Sequence, residues 1–157
     1  MADCIESQIT QSLKDRMETV KTYPNKATPT VELERTVLSI GDRYPYITIC
    51  GPQTESDDKT PEVSRDNLLY IIKYYVDKND ENANENTELP YLTRNVAADI
   101  EKHIMNDVSR GGLAQNTRQL EDGYAFDVSI DGIWEFYIYV VLEIKALINK
   151  LNPYVSG

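Results

Sequence analysis

The chain has 157 residues, 41% of them hydrophobic, and a formal net charge of −10 from 26 acidic and 16 basic side chains. That length suits one domain over 1–157 with a core that needs no disulfide staples, and the hydrophobic share argues against wholesale disorder. The charge opposes a tight grip on nucleic-acid phosphates, and no run approaches the roughly 20 apolar residues that span a bilayer. Met1 to Ser7 lack the basic head and apolar run of a signal peptide. Cys4 and Cys50 form no CxxC pair and read as reduced cytosolic thiols, a disulfide between them being the alternative.

In chain order, residues 3 to 22 predict an amphipathic helix. Ile5, Ile9, Leu13, Met17 and Val20 recur at three- and four-residue spacing along one stripe. Asp3 and Glu6 have the spacing of a capping box, and Tyr23-Pro24-Asn25 stops the helix. The mixed-sign polar face favours docking on a sheet over a membrane surface. Strands follow. Thr30 to Ile40 places Val31, Leu33 and Val37 on one parity, and Tyr46 to Cys50 is a short β-rich run. Leu68 to Val76 is apolar on both parities except at Lys73, which predicts a strand covered on both faces.

Two polar stretches interrupt the strands. Gln53 to Asp66 holds Glu55, Asp57, Asp58, Glu62 and Asp66 with little to bury. Asp77 to Glu88 carries Asp77, Asp80, Glu81, Glu85 and Glu88 against Lys78 alone. Its composition predicts a solvated loop, or one that orders on assembly. A second helix is predicted from Pro90 to Ser109, with Leu92, Val96, Ile100, Ile104 and Val108 on its stripe and Gly111-Gly112 as its stop.

The last third alternates with period two. Tyr124, Phe126, Val128 and Ile130 lead into Asp131-Gly132, a favoured type I′ turn pair, and a second run to Lys145 completes a long hairpin. One face of the second run holds Trp134, Phe136, Ile138, Val140, Leu142 and Ile144. The other holds Tyr137, Tyr139 and Val141, too apolar for free solvent, which places it under a helix or against another subunit. The expected fold is α+β: one mixed, largely antiparallel sheet with an N-terminal helix and a second helix packed on it, ending in the hairpin.

Chemistry-bearing patterns are sparse. The one histidine, His103, has no matching nucleophile motif. Asp99, His103 and Asp107, four apart, offer at most a weak metal pattern on one helix face. Gly111-Gly112 lacks a phosphate-loop pattern. The expectation is a protein without catalytic, cofactor or metal residues. Arg110 and Arg118 join Tyr137, Tyr139 and Val141 as candidate interface residues, because arginine and tyrosine are enriched where proteins meet.

The segment Ala97 to Phe126, AADIEKHIMNDVSRGGLAQNTRQLEDGYAF, followed by a long hairpin and preceded by LLYIIKYYV and a polar loop, resembles phage tail terminator (tail completion, minor tail) proteins. The resemblance is specific over residues 92 to 145. It implies a non-enzymatic structural subunit, commonly in a hexameric ring that caps the tail tube, halts its polymerisation and offers the surface where the filled head docks. The implied partners are further copies, the tube protein and a neck protein, with DNA passing through without specific binding. The implied location is the virion, assembled in the bacterial cytoplasm. The acidic stretch Asp77 to Glu88 matches a loop that orders on assembly in that family. Another head-to-tail joining protein and an acidic protein-binding module are the alternatives.

Overall fold

A computed structural model describes residues 4–23, 26–34, 44–58, 63–77, 88–128, 132, 134–149 and 152. The elements run α1 (Ile5–Met17), β1 (Thr30–Leu33), β2 (Tyr46–Asp58), β3 (Val63–Tyr75), α2 (Leu89–Met105), β4 (Asn116–Val128) and β5 (Trp134–Asn149). The strands form one sheet in the order β1-β2-β3-β5-β4. β1 pairs parallel to β2, and the other pairings are antiparallel. This is the α+β architecture expected from the sequence.

Both helices lie on one face of the sheet. α1 turns Ile5, Ile9, Leu13 and Met17 inward, and α2 turns Leu92, Val96, Ala97, Ile100 and Ile104 inward. They meet the alternate residues of the sheet, among them Leu68, Tyr70, Ile72 and Tyr74 of β3 and Ile138, Val140, Leu142 and Ile144 of β5, all inaccessible to solvent. Burying each such side chain stabilises the fold by about 1.5–3 kcal/mol. Polar contacts tie the chain between α1 and β1 to α2: Thr22 Oγ1 donates to Asp99 Oδ2 at 2.7 Å, and Thr19 Oγ1 meets His103 Nε2 at 2.8 Å.

Both helices end earlier than their apolar stripes. α1 stops at Met17, although Val20 beyond it stays buried. Cys4 takes the N-cap position expected for Asp3, and Asp3 lies outside the described residues. α2 stops at Met105 because Asp107 organises a tight turn. Its carboxylate accepts the Ser109 amide at 3.1 Å, the Ser109 hydroxyl at 2.8 Å and the Gly111 amide at 2.7 Å. The helical stripe therefore loses Val108, which is exposed. Arg110, Gly111 and Gly112 then take positive φ, with Arg110 at 49°.

Gln53 to Asp66, expected as a polar excursion with little to bury, contains strand on both sides of residues 59–62, which lie outside the described set. Gln53 pairs with Leu69, and the ladder continues to Asp58 opposite Ser64. β3 in turn pairs with β5 as far as Val63 opposite Asn149. Two neighbours thus satisfy the backbone of β3 whatever its side chains. Ser64 and Asp66 point to the helix side and are buried, with Ser56 Oγ donating to Asp66 Oδ1 at 2.9 Å. The second expectation corrected here is the doubly covered β3. Its burial alternates, and Ile71 is 40% exposed on the face without helices. The expected strand to Ile40 is described only as far as Leu33, and Val37 lies outside the described residues.

Gly51 sits at the irregularity where the β2–β3 register shifts between Cys50 and Gln53. Its φ is 118°, and a Cβ there would stand 2.7 Å from the Leu69 carbonyl oxygen. Gly51→Ala should destabilise the protein by about 2 kcal/mol through backbone strain, read as a lower urea midpoint at unchanged slope. A second outcome concerns pH. Burial, then the charge of Asp66, raises the Glu6 carboxyl from its ordinary 4.5. The folded state holds this proton more tightly than the unfolded chain, so stability falls as pH rises from 4.5 through the raised folded value. Glu6→Gln should therefore be more stable than the wild type at pH 7, by less than about 1 kcal/mol given solvent screening, and indistinguishable from it near pH 4. Thermal melts at the two pH values measure the difference.

Candidate functional site

The helix-free face of the sheet carries an apolar strip along β3 and β5. The register sets Tyr75 opposite Tyr137, Lys73 opposite Tyr139 and Ile71 opposite Val141. Two grooves of about 350 Å³ each run along it and share Ile71 and Val141. One extends over Lys73, Tyr137 and Tyr139 to Glu121, and the other over Leu69 and Cys50 to Glu34. At one end the buried Tyr75 ring lies tilted between those of Tyr46, also buried, and Tyr137, with centroids 5.8 and 5.2 Å apart, and Lys73 Nζ lies 4.9 Å from the centre of the Tyr137 ring. Tyr139 crosses toward β4, where its hydroxyl donates to Glu121 Oε1 at 3.2 Å. Its ring fills the space over Gly123, where a Cβ would stand 2.6 Å from the phenol oxygen. Burial pushes the Cys50 thiol above its ordinary value, so it stays protonated and a poor nucleophile at neutral pH.

A second apolar surface lies at the end of the β4–β5 ribbon, on the helix side. β3 ends at Tyr75, opposite Tyr137, so Trp134 to Phe136 pair only with β4, where Phe126 meets Phe136 and Val128 meets Trp134. Alternation sets these residues on the face of Ile138 to Ile144, which is buried. The structure instead leaves Trp134 70% exposed, and Tyr124, Phe126 and Val128 about half exposed. The rings hold one another: Phe126 lies 5.5 Å from Phe136 and 6.4 Å from Trp134. Composition does not reveal this patch. The signal for it is a mismatch of lengths, because the predicted hairpin outruns both its neighbouring strand and the helix above it.

Of the expected interface residues, Tyr137, Tyr139, Val141 and Arg118 share the helix-free face. Arg118 Nε donates to Glu143 Oε1 at 2.9 Å, with Lys145 Nζ 4.0 Å from the same oxygen. Arg110 does not join them. It is 1% exposed on the opposite side of the sheet, and its Nη2 donates to the carbonyls of Ile104 and Asp107. A left-handed backbone at the end of the turn folds this side chain back under α2, which removes it from the helix-free face. Of the acidic stretch, Asp77 and Glu88 are exposed, while Asp80, Glu81 and Glu85 lie outside the described residues.

The Asp99, His103, Asp107 stripe is dispersed. Asp99 accepts from Thr22, His103 meets Thr19, and Asp107 is committed to its own turn beyond the helix end. Burial, then the neighbouring Arg16 charge, lowers the His103 pKa, leaving the ring neutral at physiological pH. No group of three metal-ligating side chains forms among the described residues. The thiols of Cys4 and Cys50 are free. No helix among the described residues is long and apolar enough to cross a membrane. No family model matches the sequence, and no curated protein matches it.

Trp134 is the only tryptophan in the chain, which makes the ribbon end directly observable. In dilute protein its emission should peak at the long-wavelength limit of a hydrated indole, and acrylamide should quench it nearly as freely as it quenches free tryptophan. A blue-shifted, protected emission in monomeric protein would contradict this placement.

Proposed function

We propose that this protein is a non-enzymatic structural subunit that assembles head to tail into a ring, probed most directly as a phage tail terminator capping a tail tube. One observation carries the reading: a single chain leaves two different apolar surfaces open, the groove over Ile71, Tyr137, Tyr139 and Val141 and the ribbon end around Trp134 and Phe126. A head-to-tail ring requires two unlike, complementary patches on every subunit, whereas a two-fold dimer requires one self-complementary patch. Trp134, Tyr124, Phe126 and Val128 expose neighbouring apolar side chains at the ribbon end, and the largest apolar patch on a monomer is often a functional surface.

The occupant of each surface is a second copy, with the ribbon end of one subunit seated in the groove of the next. The aromatic character of both sides suits the centre of an interface, where tyrosine, tryptophan and phenylalanine are enriched. The net charge of −10 opposes such a ring at low salt, so association should strengthen as salt screens like-charged copies. In the ring the same charge faces passing DNA with like charge and keeps the duplex from adhering.

Sedimentation and light scattering of two variants test the reading. Trp134→Glu disables the ribbon end and Ile71→Lys disables the groove, so each alone should be monomeric where the wild type forms rings, alone or on tube protein. Mixed together, the two variants should give one-to-one dimers, because each keeps the surface the other lacks. Wild-type protein that stays monomeric at high concentration with tube protein present would end the proposal. Rings that survive both substitutions would end it equally.

A further inference from the structure

On the helix side, away from both apolar surfaces, a cleft of about 600 Å³ opens between the outer face of α1 and the 106–113 turn. α1 contributes Ser12, Asp15, Arg16 and Thr19, and the turn contributes Asp107 and Arg110. Two guanidinium groups therefore meet here in a strongly acidic protein. Arg16 forms no ion pair among the described residues. Arg110 is almost wholly buried, and its Nε and Nη1 have no hydrogen-bond partner among the described residues. Burial is the largest influence against the protonated form of Arg110; the charge of Asp107 favours that form, and the charge of Arg16 opposes it by less.

An unpaired guanidinium out of water is costly, and a second cation beside it adds to that cost. The charge of Asp107 offsets part of that cost, but no acidic group at hand accepts from Arg110 Nε or Nη1. Asp107 spends its carboxylate on Ser109 and Gly111, and Asp15 accepts from Gln11 at 2.7 Å. What the cleft lacks is a pair of acceptor oxygens for Arg110 Nε and Nη1. We propose that the cleft is a binding site for a carboxylate group, held between Arg16 and Arg110. Arginine is the residue of choice for such pairing, and the cleft falls within the size range of ligand sites. A monoanion fits better than a phosphate dianion, because Asp15 and Asp107 at the rim already offset the two arginines and repel a doubly charged ligand. The carboxylate has two possible sources: a small organic acid, or an acidic side chain of another protein chain. The site stands apart from the ring surfaces and does not depend on them.

Guanidinium Nε–Hε resonances of the full-length protein provide the test, titrated at constant ionic strength with sodium acetate, sodium phosphate or a peptide of residues 77–88. Acetate should shift the Arg16 and Arg110 signals saturably while Arg118, already paired with Glu143, drifts only linearly. Arg16→Gln, which leaves the buried Arg110 in place, should weaken acetate binding at least tenfold. If the peptide saturates at far lower concentration than acetate, the carboxylate comes from a protein chain. If the two are equal per carboxylate, it comes from a small acid. Arg16 and Arg110 signals that respond no more than Arg118 would overturn the site, and so would phosphate binding more tightly than acetate.

Discussion

The length mismatch between helices and strands shapes everything else in this molecule. At about 1.5 Å per helical residue, α1 and α2 with 13 and 17 residues span roughly 20 and 26 Å. At about 3.3 Å per strand residue, β3 and β5 with 13 and 16 residues reach roughly 43 and 53 Å. Two helices, each about 10 Å across, tile the width of a five-stranded sheet once. They cover one face, from Ser64 and Ile148 at one end to Phe136, and leave the Trp134 end open. On the opposite face Tyr46 and Tyr75 are buried, whereas Ile71 there, and Trp134 beyond the helices, stay open to solvent.

The two uncovered places follow directly. β5 alternates strictly, so its even positions from Ile138 to Ile144 fall beneath the helices and vanish from solvent, while Trp134 lies past the helix ends. Its odd positions Tyr137, Tyr139 and Val141 lie on the side where no helix packs. They are only partly shielded by their strand neighbours, through the tyrosine stack and through Tyr139 lying across Gly123. In the proposed assembly a further copy would remove such surface from water, and unlike patches give a ring where the rotation between subunits closes. The net charge of −10 acts against this through space, yet it is screened within about 8 Å at physiological salt while apolar contact is not.

Arg110 shows how a local device can set the electrostatics of a cleft. Its side chain donates to the Ile104 and Asp107 carbonyls at the end of α2, a recognised use of basic residues at helix C-termini. That placement leaves two of its nitrogens unpaired and sets a buried positive charge next to Arg16 across the cleft. The stop of α2 and the electrostatic demand of the cleft therefore share one cause, the turn organised by Asp107.

The period of each apolar pattern was legible in the chain itself. The 3.6-residue stripes of α1 and α2 and the two-residue alternation of the last third name the elements, their inward faces and the α+β class, because those periods are properties of the backbone. Tyr137, Tyr139 and Val141 were legible as a second apolar face for the same reason. The strand character of the polar Gln53–Asp66 stretch was not, since its backbone is held by neighbours distant in sequence. Nor was the fate of Arg110, whose burial depends on the helix ending at Met105 instead of Ser109. Exposure of Trp134 and Phe126 was likewise a tertiary matter. Alternation says which way a side chain points, and only the packed lengths of helix and strand decide whether anything is there to meet it.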